Sequence, residues 1–305
     1  VWLNQGGMQG GTEGHFAPGG ATLGVVSDTV ELGDLDGDGD LDAVLGREIW
    51  LNTGVGDFVP SGFSLPDTDL RGVALGDLDG DGDLDAFATS WLHPDAVWLN
   101  DGTGAFTPRP HLYGHSPAWP SITVALGDLD SDGDTDAVFG TFYRDNAVWL
   151  NDGLGVFVQT NSLGDDAIWS LALGDVDGDG DEDVVAATND RATRIWLNNG
   201  VGVFTDTDQE IGALSSEYVA LGDVDGDGDL DCVTDGSIWL NDGAGEFGSS
   251  QAQLKASGIH AVALGDLDGD DDLDIFGGLD GPNLVWFNTT VREVYLPVVL
   301  KAPSP

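Results

Sequence analysis

The sequence is poor in cysteine and basic residues and has no long apolar run. Its one cysteine, Cys232, rules out an internal disulfide and indicates no compartment. No stretch approaches the roughly 18 apolar residues of a membrane-spanning helix, so we expect no direct membrane insertion. Only 9 Lys and Arg oppose 55 Asp and Glu, giving a net charge of −46. Such a chain repels phosphate, which argues against nucleic acid as a partner.

Sequence motifs of common enzymes are missing as well. The chain has no Gly-x-Ser-x-Gly nucleophile elbow, no phosphate-binding glycine loop and no zinc-protease motif. We therefore expect no enzymatic activity and no catalytic residues.

Two motifs recur along the chain at a similar spacing. The acidic stretch GDLDGDGDLDAV at Gly33–Val44 returns in close variants every 43 to 51 residues, beginning at Gly76, Gly127, Gly174, Gly222 and Gly265. A second motif, WLN or WFN, accompanies it with tryptophans at Trp2, Trp50, Trp98, Trp149, Trp196, Trp239 and Trp286. Four short strands per unit at this period are typical of a β-propeller, an all-β fold.

The second full unit illustrates the strands, labelled A to D within each blade. We predict strands at Gly72–Gly76, Leu84–Ala88, Ala96–Leu99 and Ala105–Thr107. About six and a half units occupy residues 1–290, with 291–305 as a tail or last outer strand. We predict a seven-bladed propeller of four-stranded blades; a six-bladed propeller with an appended hairpin is the alternative.

The acidic stretch has the oxygen spacing of a calcium loop. Counting from Asp34, positions 1, 3, 5 and 9 carry Asp34, Asp36, Asp38 and Asp42, and glycine at position 6 permits a sharp turn. Position 7, Asp40, would contribute its backbone carbonyl. An EF-hand needs a glutamate at position 12, which none of the six copies has, and a solvated acidic turn needs no such spacing.

These residues resemble a known family. The DxDxDGxxD loop between the first two strands of a blade is similar to the FG-GAP repeat of integrin α-chains and to the VCBS-type repeat of bacterial surface proteins. The resemblance covers nearly the whole chain and implies a propeller that binds about six structural calcium ions. In the sixth loop Asp271 replaces the glycine.

The resemblance also implies the metal ligands at positions 1, 3, 5, 7 and 9 of each loop. In the first three loops these are Asp34, Asp36, Asp38, Asp40, Asp42, Asp77, Asp79, Asp81, Asp83, Asp85, Asp128, Asp130, Asp132, Asp134 and Asp136. In the last three loops they are Asp175, Asp177, Asp179, Asp181, Asp183, Asp223, Asp225, Asp227, Asp229, Asp231, Asp266, Asp268, Asp270, Asp272 and Asp274.

The B–C and D–A connections vary in length from blade to blade, whereas the A–B loops and C–D turns are nearly constant. Function usually lies in variable loops on a rigid scaffold, so we expect the ligand there. Four irregular aromatics are the candidate contacts: Trp91, Tyr113, Trp119 and Tyr143. The longest such segment, Pro108–Ser121, also holds two histidines, which lack a third zinc ligand. We interpret the repeated WLN tryptophans as core rather than as sugar-stacking platforms.

The sequence thus predicts an extracellular or cell-surface, calcium-stabilised propeller. We expect it to serve as a binding or adhesion module for a protein or carbohydrate ligand. The alternative is the propeller domain of an extracellular carbohydrate-active enzyme.

Overall fold

In a computed structural model of the chain, the described residues form 26 β-strands and no helix. The structure describes residues 2–4, 16–18, 23, 29–66, 69–113, 120–142, 146–189, 191–234, 236–254, 256, 258–279, 282–288 and 296–299. Within these residues no helix is long and apolar enough to cross a membrane.

The first three blades are four-stranded sheets whose strands lie in chain order. Blade 1 comprises β3 (Val30–Gly33), β4 (Asp42–Leu45), β5 (Glu48–Asn52) and β6 (Phe58–Ser64). Blade 2 comprises β7 (Leu70–Gly76), β8 (Asp85–Ser90), β9 (Asp95–Asn100) and β10 (Phe106–Tyr113). Blade 3 comprises β11 (Ser121–Gly127), β12 (Asp136–Thr141), β13 (Ala147–Asn151) and β14 (Phe157–Ser162).

The next three blades repeat this order. Blade 4 comprises β15 (Ile168–Gly174), β16 (Asp183–Thr188), β17 (Thr193–Leu197) and β18 (Thr205–Ile211). Blade 5 comprises β19 (Val219–Gly222), β20 (Asp231–Thr234), β21 (Ser237–Asn241) and β22 (Phe247–Gln253). Blade 6 comprises β23 (Ile259–Gly265), β24 (Asp274–Leu279), β25 (Leu284–Phe287) and β26 (Leu296–Val299). The N-terminal strands β1 (Trp2–Asn4) and β2 (Phe16–Pro18) form a separate two-stranded sheet.

The chain is therefore an all-β propeller with four-stranded blades, and the prediction of seven blades is wrong. The described part of the chain forms six four-stranded blades and the two-stranded sheet β1–β2. The reason lies in the repeats themselves. Each four-stranded blade needs an aspartate loop to join strand A to strand B, and the chain has six such loops for seven WLN motifs.

Within blade 2 the predicted strands are close to the observed ones except at the outer edge. Strand D continues from Phe106 to Tyr113, so the first half of the predicted loop Pro108–Ser121 is strand. Its pairing with β9 shifts register between Pro108 and Leu112. A bulge at an edge strand can accommodate prolines, because an edge strand needs fewer ladder hydrogen bonds.

The chain forms two compact units, each with its own core. The first unit, Pro18–Ile168 with Asn199–Phe204, contains blades 1 to 3. Its core includes Phe87 and Phe139, whose ring centroids lie 4.8 Å apart. The second unit contains β16 to β26, and Cys232 is one of its buried core side chains.

Neighbouring blades interlock through glycine. Gly33 ends strand A of blade 1, and a Cβ at this position would lie 2.6 Å from Leu84 and 3.1 Å from Leu75 of blade 2. The missing side chain thus makes room for two leucines. Most of the described WLN tryptophans pack in the core as predicted. Trp196 and Trp286 are buried, and Trp98, Trp149 and Trp239 are partly buried against core clusters, whereas Trp50 is half-buried outside them.

Candidate metal centre and variable ends

Each aspartate loop is organised by its own backbone amides. In loop 2, Asp77 accepts hydrogen bonds from the amides of Gly80 at 2.8 Å and Gly82 at 3.0 Å. Gly80 and Gly82 have φ values of 77° and 94°, a conformation that glycine adopts without strain. The first carboxylate therefore closes the loop into a tight coil.

The aspartate at position 9 fixes the loop to the blade. Asp85 is fully buried, and its two carboxylate oxygens accept from the amides of Leu78 at 2.9 Å and Asn100 at 2.8 Å. Asp42, Asp136, Asp183, Asp231 and Asp274 make the same pair of bonds. Position 9 thus ties the loop to its own strand C in every blade.

Positions 1, 3 and 9 bring three carboxylates together. In each of five loops, one oxygen from each of the three residues lies within 4.8 Å of the others. These groups are Asp34, Asp36 and Asp42; Asp77, Asp79 and Asp85; Asp128, Asp130 and Asp136; Asp175, Asp177 and Asp183; and Asp223, Asp225 and Asp231. The loops can therefore hold a metal ion with an all-oxygen ligand set.

The aspartate at position 3 is the best indicator that a cation fits. One buried carboxylate oxygen, Oδ1, has no hydrogen-bond partner in Asp36, Asp79, Asp130 and Asp268. A buried carboxylate oxygen without a donor is costly unless a cation neutralises it. Asp36 also lies near Asp42, Asp38 and Asp34, so burial first and these charges next raise its pKa. The residues present therefore fit a hard divalent cation.

Positions 5 and 7 are arranged differently from the other three. The carboxylate of Asp81, at position 5, accepts the amide of Asp83 at 3.0 Å. The side chain of Asp83, at position 7, lies against the C–D turn of its own blade. A Cβ at Gly102 would be 2.5 Å from the Asp83 Oδ2. Position 7 therefore contacts the turn through its side chain and leaves only its backbone for a metal.

The sixth loop keeps the same geometry despite its substitution. Asp271 has φ of 70°, so the structure confirms that it takes the left-handed conformation of the glycines. Its amide still donates to Asp266, at 3.2 Å. The position therefore costs backbone strain without loss of the loop's hydrogen bonds.

We expect Asp271→Gly to tighten metal binding at loop 6 and to stabilise the fold by about 1 kcal/mol, because glycine adopts this φ without strain. Calorimetric titration and thermal melting measure both effects. Asp208, an exposed residue with φ of 58° outside the loops, provides the matched control. Asp208→Gly should stabilise the fold similarly but leave metal affinity unchanged. Equal affinity changes in both variants would contradict this account.

Sequence reasoning missed the role of the asparagine in the WLN motif. Asn151 donates from Nδ2 to the carbonyl of Leu78, in the loop of the preceding blade, at 2.9 Å, and to Thr135 at 3.0 Å. Asn100, Asn241 and Asn288 make the same bond to the preceding loop. The asparagine therefore connects aspartate loops of neighbouring blades. Its recurrence after every Trp-Leu or Trp-Phe pair was the available signal.

We expect Asn151→Ala to destabilise the protein by about 2–4 kcal/mol, because two carbonyls lose their donor, one of them in a buried residue. Chemical denaturation in saturating metal provides the measurement. Asn161 is a half-buried residue of the outer strand of the same blade, and Asn161→Ala should destabilise the protein by less than about 1 kcal/mol. Similar losses in the two variants would show that Asn151 does not connect the blades energetically.

The predicted ligand aromatics are described only in part. Trp91 packs edge-on against Phe142, with ring centroids 5.4 Å apart, and the Arg71 guanidinium lies 5.3 Å from its ring. Tyr113 ends strand β10, but its side chain lies outside the described residues, as do Trp119 and Tyr143. Their joint role in binding stays a prediction.

Solved structures with the same fold include two lectins. The BP39L lectin from Burkholderia pseudomallei has a TM-score of 0.70 and 14% identity, covering 95% of this chain and 90% of that one. An Agrocybe aegerita lectin that recognises non-reducing terminal N-acetylglucosamine has a TM-score of 0.65 and 21% identity, covering 89% and 79%. BBS1N, solved in complex with ARL6DN, has a TM-score of 0.61 and 14% identity, covering 94% and 85%. Identities this low establish similarity of fold alone.

No curated protein sequence matches the chain significantly. The FG-GAP-like repeat model matches three overlapping segments, residues 77–139, 128–186 and 175–234. Together they span more than half of the chain, and each covers two consecutive aspartate loops whose geometry is described above. The chain belongs to the FG-GAP-like repeat family.

Proposed function

We propose that this chain is a calcium-stabilised extracellular propeller that binds a protein or glycan partner and is not an enzyme. The observation that carries the calcium assignment is a buried carboxylate oxygen without a hydrogen-bond partner. It belongs to the aspartate at position 3 and recurs in four loops. About six ions would be held, each by the carboxylates at positions 1, 3, 5 and 9 and the carbonyl at position 7. The ion would neutralise carboxylates that otherwise repel one another.

The same chemistry supports an extracellular setting. Calcium sites of extracellular modules commonly have dissociation constants of about 10⁻⁴–10⁻³ M, which suits the millimolar calcium outside cells. The net charge of −46 keeps the chain soluble and favours a cation-rich medium. We therefore place the protein outside the cell or at its surface.

The variable ends of the blades, where the B–C and D–A connections lie, are the proposed binding region. The A–B connections have the same length in all six blades, whereas the B–C connections range from two to five residues. These connections are nevertheless firmly held. Buried Asp95 accepts from the Ser90 amide at 3.0 Å and from the Ser121 hydroxyl at 2.7 Å, which joins blade 2 to blade 3. A varied surface on a rigid support suits a binding module.

Replacing both Tyr113 and Trp119 with alanine tests the predicted ligand region. We expect the double variant to lose partner binding by glycan array or surface-protein capture, because aromatic anchors dominate binding energy. Its calcium-dependent melting should be unchanged, since neither residue lies in an aspartate loop. Trp286→Ala, a substitution of a fully buried core side chain, is the contrasting control that should unfold the protein. Undiminished binding by the double variant would place the ligand elsewhere.

A further inference from the structure

A pocket of about 350 Å³ lies at the variable end of blade 5, within the second unit. It is lined by the D–A connections on both sides of the blade and by the B–C turn at Gly236. We call it the blade 5 pocket, and its main contributors are Ala213, Ser215, Glu217, Tyr218, Ile259 and His260. Its volume lies at the lower end of the range for small-molecule sites, about 300–1,000 Å³. The pocket therefore suits a single small ring.

One wall of the pocket carries a polar pair. His260 Nδ1 lies 2.7 Å from Glu217 Oε2, although Glu217 belongs to the connection before β19 and His260 to strand β23 of blade 6. Both side chains are about half exposed, at 46% and 55%, so a ligand can reach them. An ionised carboxylate only accepts, so the shared hydrogen belongs to Nδ1. The other ring nitrogen, Nε2, then accepts in the neutral ring and donates in the protonated ring.

The floor of the pocket is firmly held. Tyr218 is 6% exposed, and its hydroxyl accepts the amide of Gly236 at 2.6 Å. Below it, Thr234 Oγ1 donates to the Tyr218 carbonyl at 2.9 Å. The buried Thr193 hydroxyl lies 3.0 Å from both Thr234 and Ser216. This chain of buried hydroxyls fixes the segment that carries Glu217, so the pocket is formed before any ligand arrives.

The backbone adds a further sign of a built site. Ser215 has φ of 71°, which is unfavourable for a residue with a side chain. Its amide donates to the Arg191 carbonyl at 2.9 Å, which helps to hold this conformation. Strained conformations persist where the surrounding structure enforces them, and they concentrate at binding sites.

Resting on the proposed function, we propose that the blade 5 pocket binds one uncharged sugar residue of a glycan. Vicinal hydroxyls both donate and accept, so they match the Glu217 carboxylate and the His260 imidazole in either protonation state. Ile259 and Ala213 offer apolar surface to the C–H face of the ring. The net charge of −46 disfavours anionic sugars. An ammonium group only donates and would compete with the imidazole for the same carboxylate.

The test uses the full chain in saturating calcium and titration calorimetry with methyl glycosides of glucose, galactose, mannose, fucose and N-acetylglucosamine. Glucuronic acid and glucosamine serve as charged probes. We expect at least one neutral glycoside to bind. Glu217→Gln should weaken that binding at least about tenfold, because a charged hydrogen bond is lost. Ala213→Trp, at an exposed position, should block the pocket without unfolding the protein.

Matched controls lie at the opposite end of the same blade. Glu246→Gln and Ala244→Trp make the same chemical changes at exposed positions of the C–D turn and should leave sugar binding unchanged. Undiminished binding by Ala213→Trp, or stronger binding of a charged probe, overturns the proposal. If no neutral glycoside binds, this inference is wrong. The proposed function then fails as well only if glycan arrays and surface-protein capture also yield no partner.

Discussion

Removing calcium is expected to lower the melting temperature of this protein by about 30 °C. A ligand at 100 times its dissociation constant stabilises a fold by about 2.7 kcal/mol, so six independent sites contribute roughly 16 kcal/mol. That exceeds the whole stability of a typical domain, about 5–15 kcal/mol. For a chain of this size each kcal/mol corresponds to about 2 °C. Differential scanning calorimetry with a chelator, and then with calcium restored, provides the measurement.

The difference between the melting temperatures with and without calcium should decrease as the pH falls. In the calcium-free fold, burial raises the pKa of Asp85, Asp136, Asp183 and Asp231 to about 6. The calcium-free fold therefore binds protons more tightly than the unfolded chain, so its stability rises as pH falls through about 6. Protons also compete with calcium for the same oxygens. The melting temperatures with and without calcium should converge from pH about 7 to about 5; a constant gap would contradict the assignment of these ligands.

Asp136→Ala in saturating calcium is expected to destabilise the fold by about 4–6 kcal/mol. The change removes one calcium site, about 2.7 kcal/mol, and leaves the amides of Leu129 and Asn151 without their acceptor. Asp136 is fully buried, so water does not replace the lost carboxylate. The measurement is denaturant unfolding monitored by tryptophan fluorescence.

Asp134→Ala is the matched control in the same loop. The side chain of Asp134 lies against Gly153 in the C–D turn and is not one of the three carboxylates grouped at positions 1, 3 and 9, which are Asp128, Asp130 and Asp136. We expect it to change stability by less than about 1 kcal/mol, as for most surface substitutions. If the two variants lose similar stability, position 9 has no special role and the loop acts only through its total charge.

The blade architecture was largely readable from the sequence because it rests on local repetition. Neighbouring residues alone predict the turn from Gly76 to Asp85, and they also predict the WLN strand at Trp98. Blade number was harder, since a WLN motif at Trp2 indicates strands C and D without showing whether strands A and B accompany them. The extension of β10 through Pro110 was also missed, because a bulge depends on its partner strand.

The candidate site was readable only where its chemistry is local. The alternation of aspartates from Asp34 to Asp42 predicts oxygen ligands in one loop. The bond from Asn151 to Leu78 joins residues 73 positions apart; the recurrence of the asparagine marks the residue but does not reveal its partner. The pairing of His260 with Glu217 is equally non-local, because it brings strand β23 beside the connection that precedes β19. Contacts of this kind follow from packing, which the sequence pattern does not encode directly.

We infer that the aspartate loops bind calcium and hold the blades together. A crystal structure of the protein grown in calcium, with an anomalous difference map, tests this inference. We expect a peak in each of the six loops, about 2.3–2.6 Å from the carboxylate oxygens at positions 1, 3 and 9. The inference would be contradicted if all six loops were ordered without such peaks and the aspartate at position 3 of each loop were hydrogen-bonded to water instead.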